Sequence, residues 1–181
     1  PRYWCGRNAE TWYRGELAVQ RTLADHIKTM VESGVGVEDF KSGHARFDGE
    51  WAFGTYQMSG LGLGQIIRQH PETAAQYLPA MDMSIEGLLK PETRAFDIDA
   101  WGNDPLETLD GDDGHAAYLG YLNVVLGLHR QVAPESKYAD LNDRITAALI
   151  RRVRQSPTGL IETYPREVYP VDNAAVIASI A

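Results

Sequence analysis

Three times in this chain a loop carrying glycine or aspartate leads into a helix-length run that is apolar on nearly every side. The leading segments are Phe47-Asp48-Gly49-Glu50-Trp51, Asp110-Gly111-Asp112-Asp113-Gly114-His115 and Tyr169-Pro170-Val171-Asp172-Asn173. A helix apolar all round must be walled in by protein on both flanks. Each such run follows a more amphipathic one. The pattern therefore predicts an all-α chain in concentric layers, with outer and inner helices alternating and the leading ends of the inner ones gathered at one mouth.

The first outer helix is expected from Ala9 to Ser33, capped by Asn8 and stopped by Gly34. Trp12, Val19, Leu23, Ile27 and Met30 form its apolar stripe, and Arg14, Arg21, Asp25 and Lys28 face water. The first inner helix runs from Glu50 to His70. Its glycines, Gly54, Gly60, Gly62 and Gly64, each cost about 1 kcal/mol relative to alanine, which only close packing can offset; a loop over Gly60–Gly64 is the alternative. Pro71–Leu89 is either two short helices or one kinked at Pro79. Lys90–Gly111 reads as irregular, and a loop of that length is usually functional or ordered by something. Asp113–Val132 is the second inner helix and Lys137–Gln155 the third outer one. Leu160–Val171 is an extended excursion with a small hairpin, and the last inner helix opens at Asp172 and shows no stop signal before Ala181. On that ground the chain is expected to be a single domain continuing beyond 181.

A formal charge of −8 on 181 residues disfavours nucleic acid and anionic membranes, which reward clustered Lys and Arg. No run of about 18 apolar residues predicts a membrane span. The single cysteine, Cys5, allows no internal disulfide. Arg151, Arg152 and Arg154 suit the negative end of a helix dipole. Zinc spacing, a phosphate loop, a dinucleotide fingerprint and a serine elbow are all lacking, so neither cofactor nor metal is predicted. Asp97-Ile98-Asp99-Ala100-Trp101 resembles the start of a calcium loop, but Trp101 stands where an oxygen donor belongs and Thr108 where the closing Glu should be, which leaves Asp97, Asp99 and Asp104 holding calcium in another geometry as the alternative.

The segments Asp110–His115 and Glu162–Asn173, set in alternating amphipathic and apolar helices, resemble the α/α-toroid superfamily of six-hairpin glycosidases, polysaccharide lyases and linalool dehydratase-isomerase-type enzymes. The resemblance implies about half a ring, closed by another chain or by further sequence. It also implies an active site where the inner helices begin, at free N–H groups and positive dipole ends.

Asp48, Asp112, Asp113, His115 and Asp172 all fall at those leading ends. Each acid alone is an ordinary helix cap; three acids between Asp110 and Asp113 exceed what one cap needs, and His115 offers a proton carrier. Two carboxylates can divide the work of acid and base, and Asp113 with Asp172 is the preferred pair, Asp48 the reserve. Tyr164 and Tyr169 donate to a substrate oxygen or cap the core. Trp51, Trp101 and Tyr118 are candidate stacking platforms, with Asp112 and Asn173 beside the substrate. The function so predicted is carboxylate acid/base catalysis on a neutral, polyhydroxylated carbohydrate. The alternatives are a lyase or dehydratase-isomerase acting on a small apolar terpenoid-type alcohol, and a non-catalytic assembly subunit.

Overall fold

A computed structural model of the chain describes residues 9–181, and all regular structure within them is helical except one isolated bridge, Tyr164–Glu167. The expected first helix is two, α1 (Ala9–Tyr13) and α2 (Leu17–Ser33), because Gly15 turns the chain at φ 66°. The His70 ring lies 2.9 Å from the Gly15 carbonyl and pins that turn to the end of the helix that spans Ala45–Gln69. Asn8 lies outside the described residues. The buried stripe of α2 is Ala24 and Val31 with Ile27 beside them, whereas Trp12, Leu23 and Met30 are exposed. The contact that α2 makes with its neighbours is narrower than its apolar face.

Helix α3 (Ala45–Gln69) starts earlier than expected, so Phe47, Asp48 and Gly49 belong to its first turns rather than to a loop. Its glycines are fully helical. Gly60 and Gly64 face Val125 and Leu128 of a later helix, where an added Cβ would come within 2.9 Å and 2.6 Å of those side chains. Glycine here allows two backbones to approach, and the buried contact compensates for its poor propensity. One side of α3 is not walled in: Trp51 and Met58 are 61% and 65% exposed.

A 3₁₀ turn at Pro71–Thr73 leads into α4 (Ala74–Leu88), a single helix through Pro79. The stretch expected to be irregular holds α5 (Pro91–Trp101), with Pro91 in its first turn and Gly102 in the left-handed region at its end, two ordinary helix boundaries. The second inner helix begins later than expected. After Asp113 the chain makes a π-helical turn, Ala116–Gly120, and only then α6 (Tyr121–Val132). The remaining helices are α7 (Ala139–Gln155) and α8 (Pro170–Ile180).

Helix α6 packs between α3 and α8; α4 lies over α3 and α6, α7 over α6 and α8, and α2 over α3 and α4. The main core joins Phe53, Tyr56, Leu88, Phe96, Tyr118, Leu122, Leu126, Ile145, Leu149 and Val176. Among the described residues no helix is long and apolar enough to cross a membrane.

Where α4 meets α3, an added Cβ on Gly87 would lie 2.5 Å from the Tyr56 ring, which is itself held by hydrogen bonds to Val35. Gly127, within α6, has no side chain or other element within 4 Å of its missing Cβ among the described residues. Gly87→Ala should therefore lower stability by about 1–3 kcal/mol through overpacking. Gly127→Ala should raise it by up to about 1 kcal/mol through helix propensity. Urea unfolding midpoints of the two variants check the opposite signs.

Candidate functional site

Two clefts flank the excursion between α7 and α8. The first, of about 300 Å³, is floored by Phe53, Phe96 and Ala117 and rimmed by Glu50, Asp172, Tyr121, Tyr164 and Tyr169. Glu50 comes from α3, Tyr121 from the start of α6, and Asp172 from the first turn of α8. The Tyr164 hydroxyl donates to Glu50 Oε1, and the Arg46 guanidinium stands 5.0 Å over the Tyr164 ring. Burial, and then the Glu50 carboxylate, push the Tyr164 hydroxyl well above its ordinary pKa. Burial, and then the neighbouring Asp172, push that of Tyr121 up to about 12. Both phenols stay protonated and serve as donors beside a carboxylate. The Tyr169 hydroxyl donates to Glu167 Oε2 at 2.5 Å.

The second cleft, of about 650 Å³, is lined by Trp101, Asp112, Asp113, Arg152, Glu162 and Val168, among others. Its wall is the segment before the π-helical turn. Arg152 donates to the carbonyls of Thr108, Leu109, Gly111 and Gly114 at 2.9–3.4 Å, and Arg151 to those of Leu109 and Gly111. Burial first, and then Arg151, lower the pKa of Arg152 to about 10, so it remains charged at neutral pH. At Gly114 an added Cβ would lie 2.0 Å from the Glu162 carbonyl oxygen, so only glycine fits where this segment meets the excursion.

Behind the second cleft lies a sealed pair. His115 Nδ1 is 2.6 Å from Asp97 Oδ2, and both side chains have no exposed surface. The Asn103 amide donates to Asp113 Oδ2 at 2.8 Å, which turns its carbonyl oxygen toward His115 Nε2 at 3.1 Å. That oxygen only accepts, so Nε2 carries a proton. His115 holds a left-handed conformation, φ 50°, with its ring 4.7 Å from that of Trp101. Among the described residues Asp97 Oδ1 has no hydrogen-bond partner. Burial raises the pKa of Asp97 above the ordinary 3.8, and its hydrogen bond to His115 opposes that shift.

The expected site residues are thus divided. Asp172, Tyr164 and Tyr169 meet in the first cleft; Asp112, Asp113 and Trp101 line the second. Asp113 and Asp172 line different clefts. Asp48 accepts the Ser42 N–H at 2.8 Å, and bonds from Ser42 hold its pKa below the ordinary value; it braces the turn before α3. His115 is a buried partner of Asp97 rather than a carrier open to the mouth. Tyr118 is a core residue whose hydroxyl donates to the Leu88 carbonyl, not a platform. Asn173 is buried and ties the excursion through Ile161 and Tyr169. Trp51 lies in a separate apolar groove with Ile27, Met30 and Met58. Asp97, Asp99 and Asp104 do not form a calcium site: Asp97 serves His115, Asp104 pairs with Arg94 at 2.7 Å, and no group of three His, Cys, Asp or Glu is placed to hold a metal among the described residues.

Glu50, Tyr121, Glu162 and Arg152 were not singled out from sequence as functional. Glu50 and Glu162 lie in segments that stood out for their neighbours. Tyr121 stands in an apolar run that also holds Tyr118, and Arg152 read as a dipole partner. Searches against known protein families, curated proteins and solved structures found no match for this chain.

Asp97 faces His115, Asp104 and Arg152. Because its pKa is raised on folding, the folded state holds its proton longer than the unfolded chain does. Its contribution is therefore complete below pH 3.8 and is lost as pH rises through the raised value. Each tenfold difference between the folded and unfolded acid constants is worth about 1.4 kcal/mol. Denaturant titrations from pH 3.5 to 7 (roughly the window of this linkage) should show wild type losing stability relative to Asp97→Asn as pH rises. A difference growing in the other direction would identify an ionised Asp97 stabilised by an imidazolium.

Proposed function

We propose that this chain is part of an α/α toroid and an acid/base enzyme whose chemistry lies in the first cleft. The observation that carries this reading is the meeting of Glu50 and Asp172 on one small cavity, each beside a tyrosine hydroxyl kept protonated, over an apolar floor. The order of packing, α3 against α6 against α8 with α4 and α7 laid over them, supports the ring arrangement. The exposed apolar side of α3 supports a partner or further sequence that covers it.

A cavity of about 300 Å³ is at the small end of ligand pockets. Its apolar floor with converging polar groups favours a small, largely apolar alcohol over a polysaccharide. One carboxyl, acting as the acid, gives a proton to the hydroxyl as the C–O bond breaks and water leaves. The other takes a proton from the neighbouring carbon as the double bond forms. The hydroxyls of Tyr164 and Tyr121 spend their single hydrogens on the two carboxyl groups and so orient them toward the substrate. A second reading places a polyhydroxylated substrate in the larger, more polar cleft. It is favoured by Trp101, a stacking surface beside Asp112 and Asp113.

Turnover of a panel of small allylic and tertiary alcohols, alongside neutral oligosaccharides, separates the two. Glu50→Gln and Asp172→Asn should each lower kcat at least about 100-fold, the usual scale of general acid or base catalysis. Asp48→Asn should leave it unchanged. Oligosaccharide turnover lost in Asp113→Asn but retained in Glu50→Gln would establish the second reading instead.

A further inference from the structure

Away from both clefts, three side chains form a hydrogen-bonded line. Asp82 comes from α4, His129 from the last turn of α6, and Ser136 from the connection to α7. His129 Nε2 lies 2.8 Å from Asp82 Oδ1, and His129 Nδ1 lies 2.8 Å from Ser136 Oγ. An ionised carboxylate only accepts hydrogen bonds, so the ring proton sits on Nε2. Nδ1 then presents its lone pair to the serine hydroxyl. A nucleophile, a base and an orienting acid stand in sequence, a constellation defined by geometry and roles rather than by chain order.

The base is firmly held. The His129 side chain is 3% exposed, with its ring packed edge-on to Tyr138 at 5.0 Å. The Tyr138 hydroxyl donates to the Asp82 carbonyl at 3.3 Å, tying α4 to the same cluster. Lys137 Nζ stands 3.6 Å from the second Asp82 oxygen. Ser136 Oγ accepts the Tyr138 N–H at 3.2 Å, which leaves its single hydrogen for His129. Bracing this turn needs only that accepted bond. It gives no reason for a histidine and an aspartate aligned behind the hydroxyl. Ser136 is only half-buried, and the Lys137 N–H, the amide that follows it, makes no hydrogen bond among the described residues. The amide after a nucleophilic serine is one of the donors that stabilise the oxyanion in acyl transfer.

We propose that Ser136, His129 and Asp82 form a second catalytic site, an acyl-transfer centre for small esters at the surface of the α6–α7 connection. Ser136 Oγ attacks the ester carbonyl carbon as its proton passes to His129 Nδ1. The tetrahedral intermediate collapses, the bond to the alcohol oxygen breaks, and the alcohol departs with that proton. Water then attacks the acyl-serine by the same route and releases the carboxylic acid, returning the proton to Ser136.

Incubation of the full chain with an alkyl fluorophosphonate, followed by intact mass and peptide mapping, tests this. The expected result is one phosphonyl adduct per chain, located on Ser136 and absent from Ser136→Ala. The labelling rate should be at least tenfold lower in Asp82→Asn and in His129→Gln. Wild-type protein that stays unmodified overturns the proposal, whatever the variants do. So does an adduct that persists in Ser136→Ala, or one that forms as fast in Asp82→Asn as in wild type.

Discussion

The wall of the second cleft depends on a single buried cation. Arg152 is 3% exposed, and among the described residues no carboxylate lies within ion-pair distance of it; its guanidinium is surrounded by carbonyl oxygens of residues 108–114. That segment lacks regular structure, so its carbonyls find no partners in a helix or sheet, and leaving them unpaired inside the protein would be costly. A planar guanidinium with five donors can serve several carbonyls at once, which a lysine ammonium on a flexible stem does poorly. Its charge is supported by the negative end of α7, in whose last turn it lies, and by the fields of Asp113, Asp112 and Asp97. Held in this way, the segment presents Asp112 and Asp113 to one cleft and His115 to the interior.

The excursion after α7 is the wall that both clefts share. The Glu162 carbonyl accepts the Ala116 N–H at 3.1 Å, the Trp101 indole donates to the Thr163 carbonyl at 3.3 Å, and Asn173 bonds both backbone groups of Ile161. These bonds come from three separate elements. They fix a stretch that has almost no ladder of its own, and in doing so they set Tyr164 against Glu50. The positive φ of Arg166, 69°, marks the reversal between Tyr164 and Glu167. A polar, locally irregular segment keeps its shape here because helices on each side satisfy its backbone.

Helix class and order were largely legible in the sequence, because burial leaves a period of 3.6 that composition cannot hide. The glycine-rich run of α3 was legible as helix for the same reason. What was lost lay at boundaries and in pairings. Helix α5 was hidden because Phe96 is its only large, fully buried apolar side chain, although Pro91 and Gly102 marked both of its ends. The break at Gly15 left the apolar pattern intact on both sides and so went unseen. In the site, the sequence showed which acids stand near helix starts; Asp112, Asp113 and Asp172 do border clefts, whereas Asp48 braces a turn. It could not show that the excursion passes between Asp113 and Asp172, nor that Glu50 rather than Asp48 turns inward. Two residues along a helix rotate a side chain by about 200°, and only packing decides which of the two acids meets the cavity.

The two aspartate–histidine pairs show how burial and a third partner together assign different work to the same groups. Asp97 and His115 are sealed at 2.6 Å with no exposed surface, and the third partner is an amide oxygen that cannot release a proton. That pair can only hold structure: it fixes the Asn103 amide and, through it, one oxygen of Asp113. Asp82 and His129 stand at 2.8 Å with the acid 30% exposed, and their third partner is a hydroxyl. A proton on that hydroxyl has an acceptor on one side and solvent within reach on the other. The chemical difference lies in the third residue and in access to water, and it separates a pair that positions from a pair that can react.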